Sequence, residues 1–466
     1  MPQETQPGPR RAIVASVHLP HVSDIEFDAS LTELRQLAKT LGFEVVGTFT
    51  QKRSSFDSMG YMGTGKRQEM RRFVRGEPDA GAQPGIDDTP QDAQVEDKAA
   101  VPTDDGPTAD WRADIMLVDN EISPTQTRNL EKEIGVEVMD RTMVILEIFH
   151  RHARSRGARA QVEIARLGYI APRLREQAKL AGPQGRQRSG VGGRGAGESR
   201  GELDRRKIRD RIAELQKELE AMEVERRTQR ARRLERTGIA RVAFVGYTNA
   251  GKSTLVRALT GSEVLVADKL FATLDTTVRA LHPETVPQIL VSDTVGFIKN
   301  LPHGLVASFR TTLAEALEAS LLAHVVDASD PAYERQLRVT EEVLEEIGAK
   351  DVPRLLVFNK IDRAGDAAAL AERLRAGHPG CLVISARNEG DVARLRAAIA
   401  AHFQEGLVEA DIFLPWSQQQ ARGEIFSNCA VLEDRTEGEG TRLTIRGEPG
   451  VVERLRKQFA AGSGEA

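Results

Sequence analysis

The sequence predicts an α/β protein of several domains, built on a doubly wound, mostly parallel sheet. A smaller α/β unit and a helical hairpin precede that sheet, and a small α+β unit follows it. Three observations lead there. The chain has 466 residues, beyond the size at which a single hydrophobic core keeps growing. Its central part alternates β-branched runs with helical stretches, as strands buried on both faces of a parallel sheet do. Two abrupt changes of composition, one acidic and one rich in glycine and arginine, mark seams.

The first unit, residues 1–75 and 111–139, reads as strand over Ala12 to Val17, helix over Leu31 to Leu41 and strand over Phe43 to Phe49. After Trp111, Asp114 to Val118 is strand-like, Thr125 to Ile134 helix-like and Val136 to Met139 strand-like. Between the two pieces, residues 76–110 are rich in Pro, Gly, Asp and Gln with few large apolar side chains. Such a stretch cannot offset its ordering entropy by burial and is expected to be a disordered insertion.

Residues 140–238 predict a helical hairpin arm. Ile164, Leu167, Ala171 and Leu174 recur at helical spacing, and Ile208, Ile212, Leu215, Leu219 and Met222 form a 4-3-4-3 heptad seam. Pro172 is expected to end or bend the first helix. The connection, 181–201, interleaves Gly190, Gly192, Gly193, Gly195, Gly197 and Gly201 with arginines, of which Arg186, Arg188, Arg194 and Arg200 are candidate RNA contacts. On a flexible backbone they can follow phosphates, pair with them bidentately and stack on exposed bases. A single arginine between Arg205 and Arg236 is as well explained as part of a solvated face.

Residues 239–404 carry the chemistry. Strands are expected at Arg241 to Val245, Ile289 to Ser292, His324 to Asp327, Arg354 to Phe358 and Cys381 to Ile384. The first runs into Gly246-Tyr247-Thr248-Asn249-Ala250-Gly251-Lys252-Ser253 and then a helix from Thr254, which is the P-loop pattern in its required context. Backbone N–H groups of such a loop cradle phosphate oxygens, Lys252 neutralises β/γ charge and Ser253 offers a hydroxyl to Mg²⁺. Downstream, Ser292-Asp293-Thr294-Val295-Gly296 ends a strand. Asp293 is placed to hold Mg²⁺ through water, and Gly296 to give its N–H to a γ-phosphate. Asn359-Lys360-Ile361-Asp362 follows, where Asp362 can accept two donors from a guanine edge that adenine lacks, which selects GTP over ATP. Ser385-Ala386-Arg387 closes the last strand, with the Ala386 N–H aimed at the base carbonyl. In Phe271 to Thr277, a candidate switch, Thr273 is preferred over Thr276 and Thr277 as metal ligand and γ-phosphate sensor. Lys252, Thr273 and Gly296 are the candidate catalytic groups.

Phe297 stands where many GTPases keep a glutamine to orient water. Its ring can neither donate nor accept that hydrogen bond, so slow intrinsic turnover is expected, with a partner or backbone supplying the missing group. Phe297 can equally be switch packing. Asn249 is a candidate to place K⁺ beside the phosphates, against a plain role in stabilising the loop.

Taken together, these residues resemble the HflX family of ribosome-associated GTPases, and the resemblance spans nearly all of the chain outside the insertion. Gly63-Thr64-Gly65-Lys66, the block Asp119 to Pro124, Asp140-Arg141-Thr142 and Ile145 to Phe149 are similar to that family's N-terminal pattern. So are Gln161-Val162-Glu163, Tyr169, Pro172-Arg173-Leu174, Asp204-Arg205-Arg206 and Leu301-Pro302-His303. The resemblance implies binding to the large ribosomal subunit and its RNA in the GTP state, an arm reaching toward the peptidyl-transferase region, and splitting of stalled ribosomes. The sequence departs from the family in lacking a proline before the threonine pair at Thr276, and in Ala196 to Gly201. A ribosome-assembly factor, or a nucleotide-gated RNA-binding module with little hydrolysis, are the rival readings.

Composition fits this picture. Lys plus Arg number 65 against 69 Asp plus Glu, a net charge of −4, which argues against a uniformly basic nucleic-acid coat; DNA is not an expected partner. Cys381 and Cys429 lack metal-ligand or disulfide spacing, and His150, His152 and His303 lack partner ligands, so neither zinc nor a disulfide framework is expected. No apolar run approaches the roughly 20 residues that span a bilayer. A monomer in the cytoplasm is expected. Residues 405–466, with alternating Leu443 and Ile445 and an amphipathic stretch from Val451 to Phe459, read as a small α+β domain without assigned chemistry.

Overall fold

The computed structural model describes residues 9–77, 112–180, 200–234, 240–261, 270–271, 277–285, 288–299 and 317–460. The acidic stretch, the glycine-rich connection with Arg186, Arg188 and Arg194, the switch residues Thr273 and Thr276, and Leu301-Pro302-His303 lie outside the described residues.

The N-terminal module orders β1 (Arg11–His18), α1 (Asp24–Thr40), β2 (Glu44–Lys52), α2 (Thr64–Arg75), β3 (Ile115–Val118), α3 (Pro124–Ile134), β4 (Glu137–Asp140) and α4 (Arg141–His152). Its sheet runs β2-β1-β3-β4 with every pairing parallel. Parallel strands need covered faces, and β1 and β3 are buried almost throughout. Ser23 caps α1, and Ser123 with Gln126 forms a reciprocal capping box that starts α3.

The helix α4 corrects the expected boundary at residue 140. It packs into the N-terminal module rather than the arm, with Val144, Ile145, Ile148 and Phe149 fully buried. At its start Arg141, 2% exposed, donates to Asp119 Oδ1 at 2.8 Å and pairs with Glu33. Asp119 also accepts from Ser16 and Ser30, so both of its oxygens are hydrogen-bonded.

The arm comprises α5 (Arg156–Leu180) and α6 (Arg200–Leu234). Ile208, Ile212, Leu219 and Met222 are half-buried and Leu215 is buried, while their neighbours on α6 are mostly exposed, as the heptad seam requires. Pro172 does not end α5; the helix continues to Leu180. Having no N–H, Pro172 leaves Gly168 O without its intrahelical donor, yet the helix runs on through it. The helix is also held on both sides of the proline. Tyr169 and Arg173 both reach the fully buried carboxylate of Asp140, Arg173 at 2.7 Å, and Arg173 further donates to Ile122 O at 3.0 Å. Burial, then the charge of Asp140, pushes the Tyr169 hydroxyl pKa up, which keeps it a donor.

The third module contains β5 (Ala240–Gly246), α7 (Lys252–Thr260), β6 (Thr277–Ala280), β7 (Ile289–Asp293), β8 (Leu321–Asp327), α8 (Tyr333–Glu346), β9 (Arg354–Asn359), α9 (Ala367–Gly377), β10 (Leu382–Val383) and α10 (Glu389–Gln404). The sheet order is β10-β9-β8-β5-β7-β6, parallel except for β6, an antiparallel edge on β7. The switch point in this order lies at β5, where a crevice opens beyond the strand ends. Finally, β11 (Val408–Pro415), α11 (Arg422–Asn428), β12 (Ala430–Glu437), β13 (Gly440–Gly447) and α12 (Pro449–Ala460) form an antiparallel sheet, β11-β13-β12, with its own core of Ile412, Leu443, Ile445, Leu455 and Phe459.

Candidate nucleotide site

The site forms where β5, β7 and β9 end. β5 delivers Gly246 at φ 145°, Asn249 and Gly251 are also in the left-handed region at φ 57° and 97°, and α7 starts directly at Lys252. These turns face loop N–H groups inward and place a helix N-terminus behind them. Gly246 has no room for a side chain, because a Cβ would collide with Val325 O on β8. Gly251 is likewise closed off by the Asn359 amide.

Lys252 is 6% exposed, and its ammonium donates to Gly246 O at 3.1 Å and Tyr247 O at 2.8 Å. Burial pushes its pKa down to about 8; Asp293 opposes that and Lys360 reinforces it. The Ser253 hydroxyl donates to Asp293 Oδ2 at 2.6 Å, and Asp293 is fully buried at the end of β7. A hydroxyl and a carboxylate this close form the hard-oxygen donor set that Mg²⁺ takes, with water and phosphate completing the shell.

Gly296 presses on the P-loop: a Cβ there would lie 2.8 Å from Thr248 Cα and 3.0 Å from Lys252 Nζ. The next residue pairs with the loop through its main chain. Thr248 N–H donates to Phe297 O at 2.7 Å, and Phe297 N–H to Gly246 O at 3.1 Å. The Tyr247 hydroxyl accepts from Lys299 N–H at 2.7 Å. The Phe297 ring is 2% exposed, so it serves as packing. Nothing in the side-chain sequence announces this pairing, because backbone groups make it.

Asn359, 1% exposed, ties the P-loop to the turn after β10. Its Nδ2 donates to Ala250 O and its Oδ1 accepts from Ala386 N–H, each at 2.9 Å. The Ala386 N–H, expected at the base carbonyl, is therefore engaged by Asn359 in this structure. Ser385 is buried and its N–H donates to Asp391 Oδ2 at 2.7 Å, while Arg387 N–H reaches Ser385 Oγ at 3.3 Å. Asp362 is exposed on the single turn Ile361–Arg363, open to an incoming edge. Thr254 lies in the first turn of α7. Arg200 begins α6. The structure thus brings the P-loop, Asp293, Gly296, Asn359, Lys360 and Ala386 together. The Asp327 partner of Lys360, at 2.8 Å, had no sequence signal.

Three family profiles match the chain: "GTP-binding GTPase N-terminal" over residues 28–81 and 107–150, "GTP-binding GTPase Middle Region" over 152–233, and "50S ribosome-binding GTPase" over 241–360. The GTPase HflX of Gluconacetobacter diazotrophicus is 52% identical over 98% of this chain and 100% of its own length. That of Escherichia coli is 33% identical over 92% of each. Among solved structures, a GTP-binding protein of Sulfolobus solfataricus in complex with GDP is 23% identical, covering 84% of this chain and 99% of its own, with a TM-score of 0.42. Among the described residues, no helix is long and apolar enough to cross a membrane.

Proposed function

The chain belongs to the HflX family of GTPases, and on that premise we propose that it is a GTP-switched factor of the large ribosomal subunit that splits or rescues stalled ribosomes. The observation that carries this reading is the joining, in one chain, of the Lys252–Ser253–Asp293 phosphate site to a long, arginine-rich helix hairpin. One of the matching profiles is named for 50S ribosome binding, which supports the partner class.

In this reading Lys252 exchanges its two carbonyl acceptors for β/γ-phosphate oxygens, and the P-loop N–H groups hold the rest of the chain of phosphates. Mg²⁺, bound by Ser253 with Thr273 and by Asp293 through water, would neutralise the developing charge. Asp362 reads the guanine edge, while Asn359 keeps that turn in register with the P-loop. Gly296 senses the γ-phosphate, which competes with the main-chain pairing of Phe297. With the Phe297 ring packed away, water must be oriented by another group, so turnover is slow until the ribosome engages. Asn249 beside the phosphates is the position for K⁺. Arg186, Arg188, Arg194 and Arg200 grip ribosomal RNA, and hydrolysis releases the grip.

The test is gradient co-sedimentation of the protein with separate subunits and whole ribosomes, in GDP and in a non-hydrolysable GTP analogue. Binding to mature large subunits only with the analogue is expected. Equal binding in both nucleotides, or binding restricted to immature particles, overturns the reading, and the second outcome favours an assembly factor.

A further inference from the structure

Lys360 leaves β9 in the left-handed region, at φ 63°, a conformation L side chains seldom adopt. It turns the chain toward Asp362. Its aliphatic stem passes beside the P-loop: a Cβ on Gly251 would lie 3.9 Å from Lys360 Cε. Past the glycine, the ammonium meets Asp327 Oδ2 at 2.8 Å, with the two side chains only 15% and 16% exposed.

Asp327 is itself fixed. It closes β8, opposite Asn359 in the β8–β9 register. Its Oδ1 accepts from the Ser329 N–H at 3.0 Å and the Ser329 hydroxyl at 2.6 Å. An exposed ion pair at a strand end would be worth little. Here one carboxylate oxygen is anchored in the turn, the other is left for one ammonium, and both partners are largely out of water, where a charge-assisted hydrogen bond is strong and directional. The electrostatics point the same way. Lys360 lies near enough to Lys252 to depress its pKa, and the pairing with Asp327 offsets the charge of the second lysine.

We infer that Asp327 is a positioning residue for guanine nucleotide recognition, holding the Lys360 side chain stretched beside Gly251 so that its stem packs on the nucleoside. The inference rests on reading Asn359 to Asp362 as the base site. Asp327 touches no nucleotide; it acts through Lys360.

The experiment is a double-mutant cycle in the full chain with Asp327→Ala, Lys360→Met and the pair, with Asp327→Asn as the isosteric variant. Dissociation constants for GDP and GTP are read by fluorescence titration, and melting temperature without nucleotide. Each single change should weaken GDP and GTP by the same factor, about tenfold, because both nucleotides share the nucleoside. The double variant should be no weaker than Lys360→Met, since without the lysine there is nothing to position. Asp327→Asn should also weaken both nucleotides, because its single amide oxygen cannot serve the Ser329 turn and the ammonium at once, and it carries the same cycle if the alanine variant does not fold. Losses that multiply in the double variant, or a loss for GTP alone, overturn the inference. An unchanged affinity in Lys360→Met overturns the role of Lys360 and of Asp327 with it, whereas the base-site reading falls only if Asp362→Asn leaves GTP affinity unchanged.

Discussion

Nucleotide binding should take up a proton above pH 8. Lys252 is wholly buried among loop carbonyls, and its pKa falls from 10.5 to about 8, chiefly by burial. The difference corresponds to roughly 3 kcal/mol. In the unfolded chain the amine keeps its proton up to 10.5, so between about 8 and 10.5 the unfolded state binds more protons. Stability of the nucleotide-free protein therefore carries the full penalty below pH 8 and recovers as pH rises through that window. A diphosphate placed against the amine restores the charged form. GDP affinity should then fall about twofold from pH 7 to 8 and about tenfold by pH 9, where only about a tenth of the free protein still holds the proton. The assay is GDP titration calorimetry in two buffers of different ionisation enthalpy, which gives the proton count directly. A dissociation constant that stays level from pH 7 to 9, with no buffer-dependent heat, refutes the reasoning.

Two further outcomes follow from the geometry. Asp362→Asn should move preference from guanine to xanthine nucleotides, because a donor replaces an acceptor opposite the position where the bases differ; unchanged GTP affinity by direct titration contradicts the base assignment. Arg141→Ala strips the buried partner from both Asp119 and Glu33, which should cost about 3–5 kcal/mol and lower the melting temperature of the N-terminal module by about 10 °C. A shift below about 2 °C shows that the buried ion group is dispensable.

The residues of the proposed phosphate and base sites were legible because that chemistry demands particular side chains at fixed intervals. Lys252, Ser253, Asp293 and Asn359 could be read off before any coordinate, and the structure brings them together. The N-terminal and C-terminal modules were legible through their alternation of apolar runs. What escaped was set by tertiary contact. The helix α4 carries a nearly unbroken apolar run, Met143 to Phe149, whose period alone cannot tell helix from strand. The pairing of Asp327 with Lys360 is created by strand register, and that of Phe297 with the P-loop by backbone atoms. An end or a bend was expected at Pro172; the helix does not end there, and two side chains anchor it on either side of the proline.

Those two anchors, Tyr169 and Arg173, stand one helical turn apart on a single carboxylate, Asp140. A fulcrum about 6 Å long sets the angular tolerance of everything beyond it. Play of about 0.5 Å at the clamp becomes about 5° of swing, and over the further ~7 residues to Leu180 that is just under about 1 Å of wander. Aim at the far end of the hairpin is thus decided at its root, by how tightly one buried oxygen is shared.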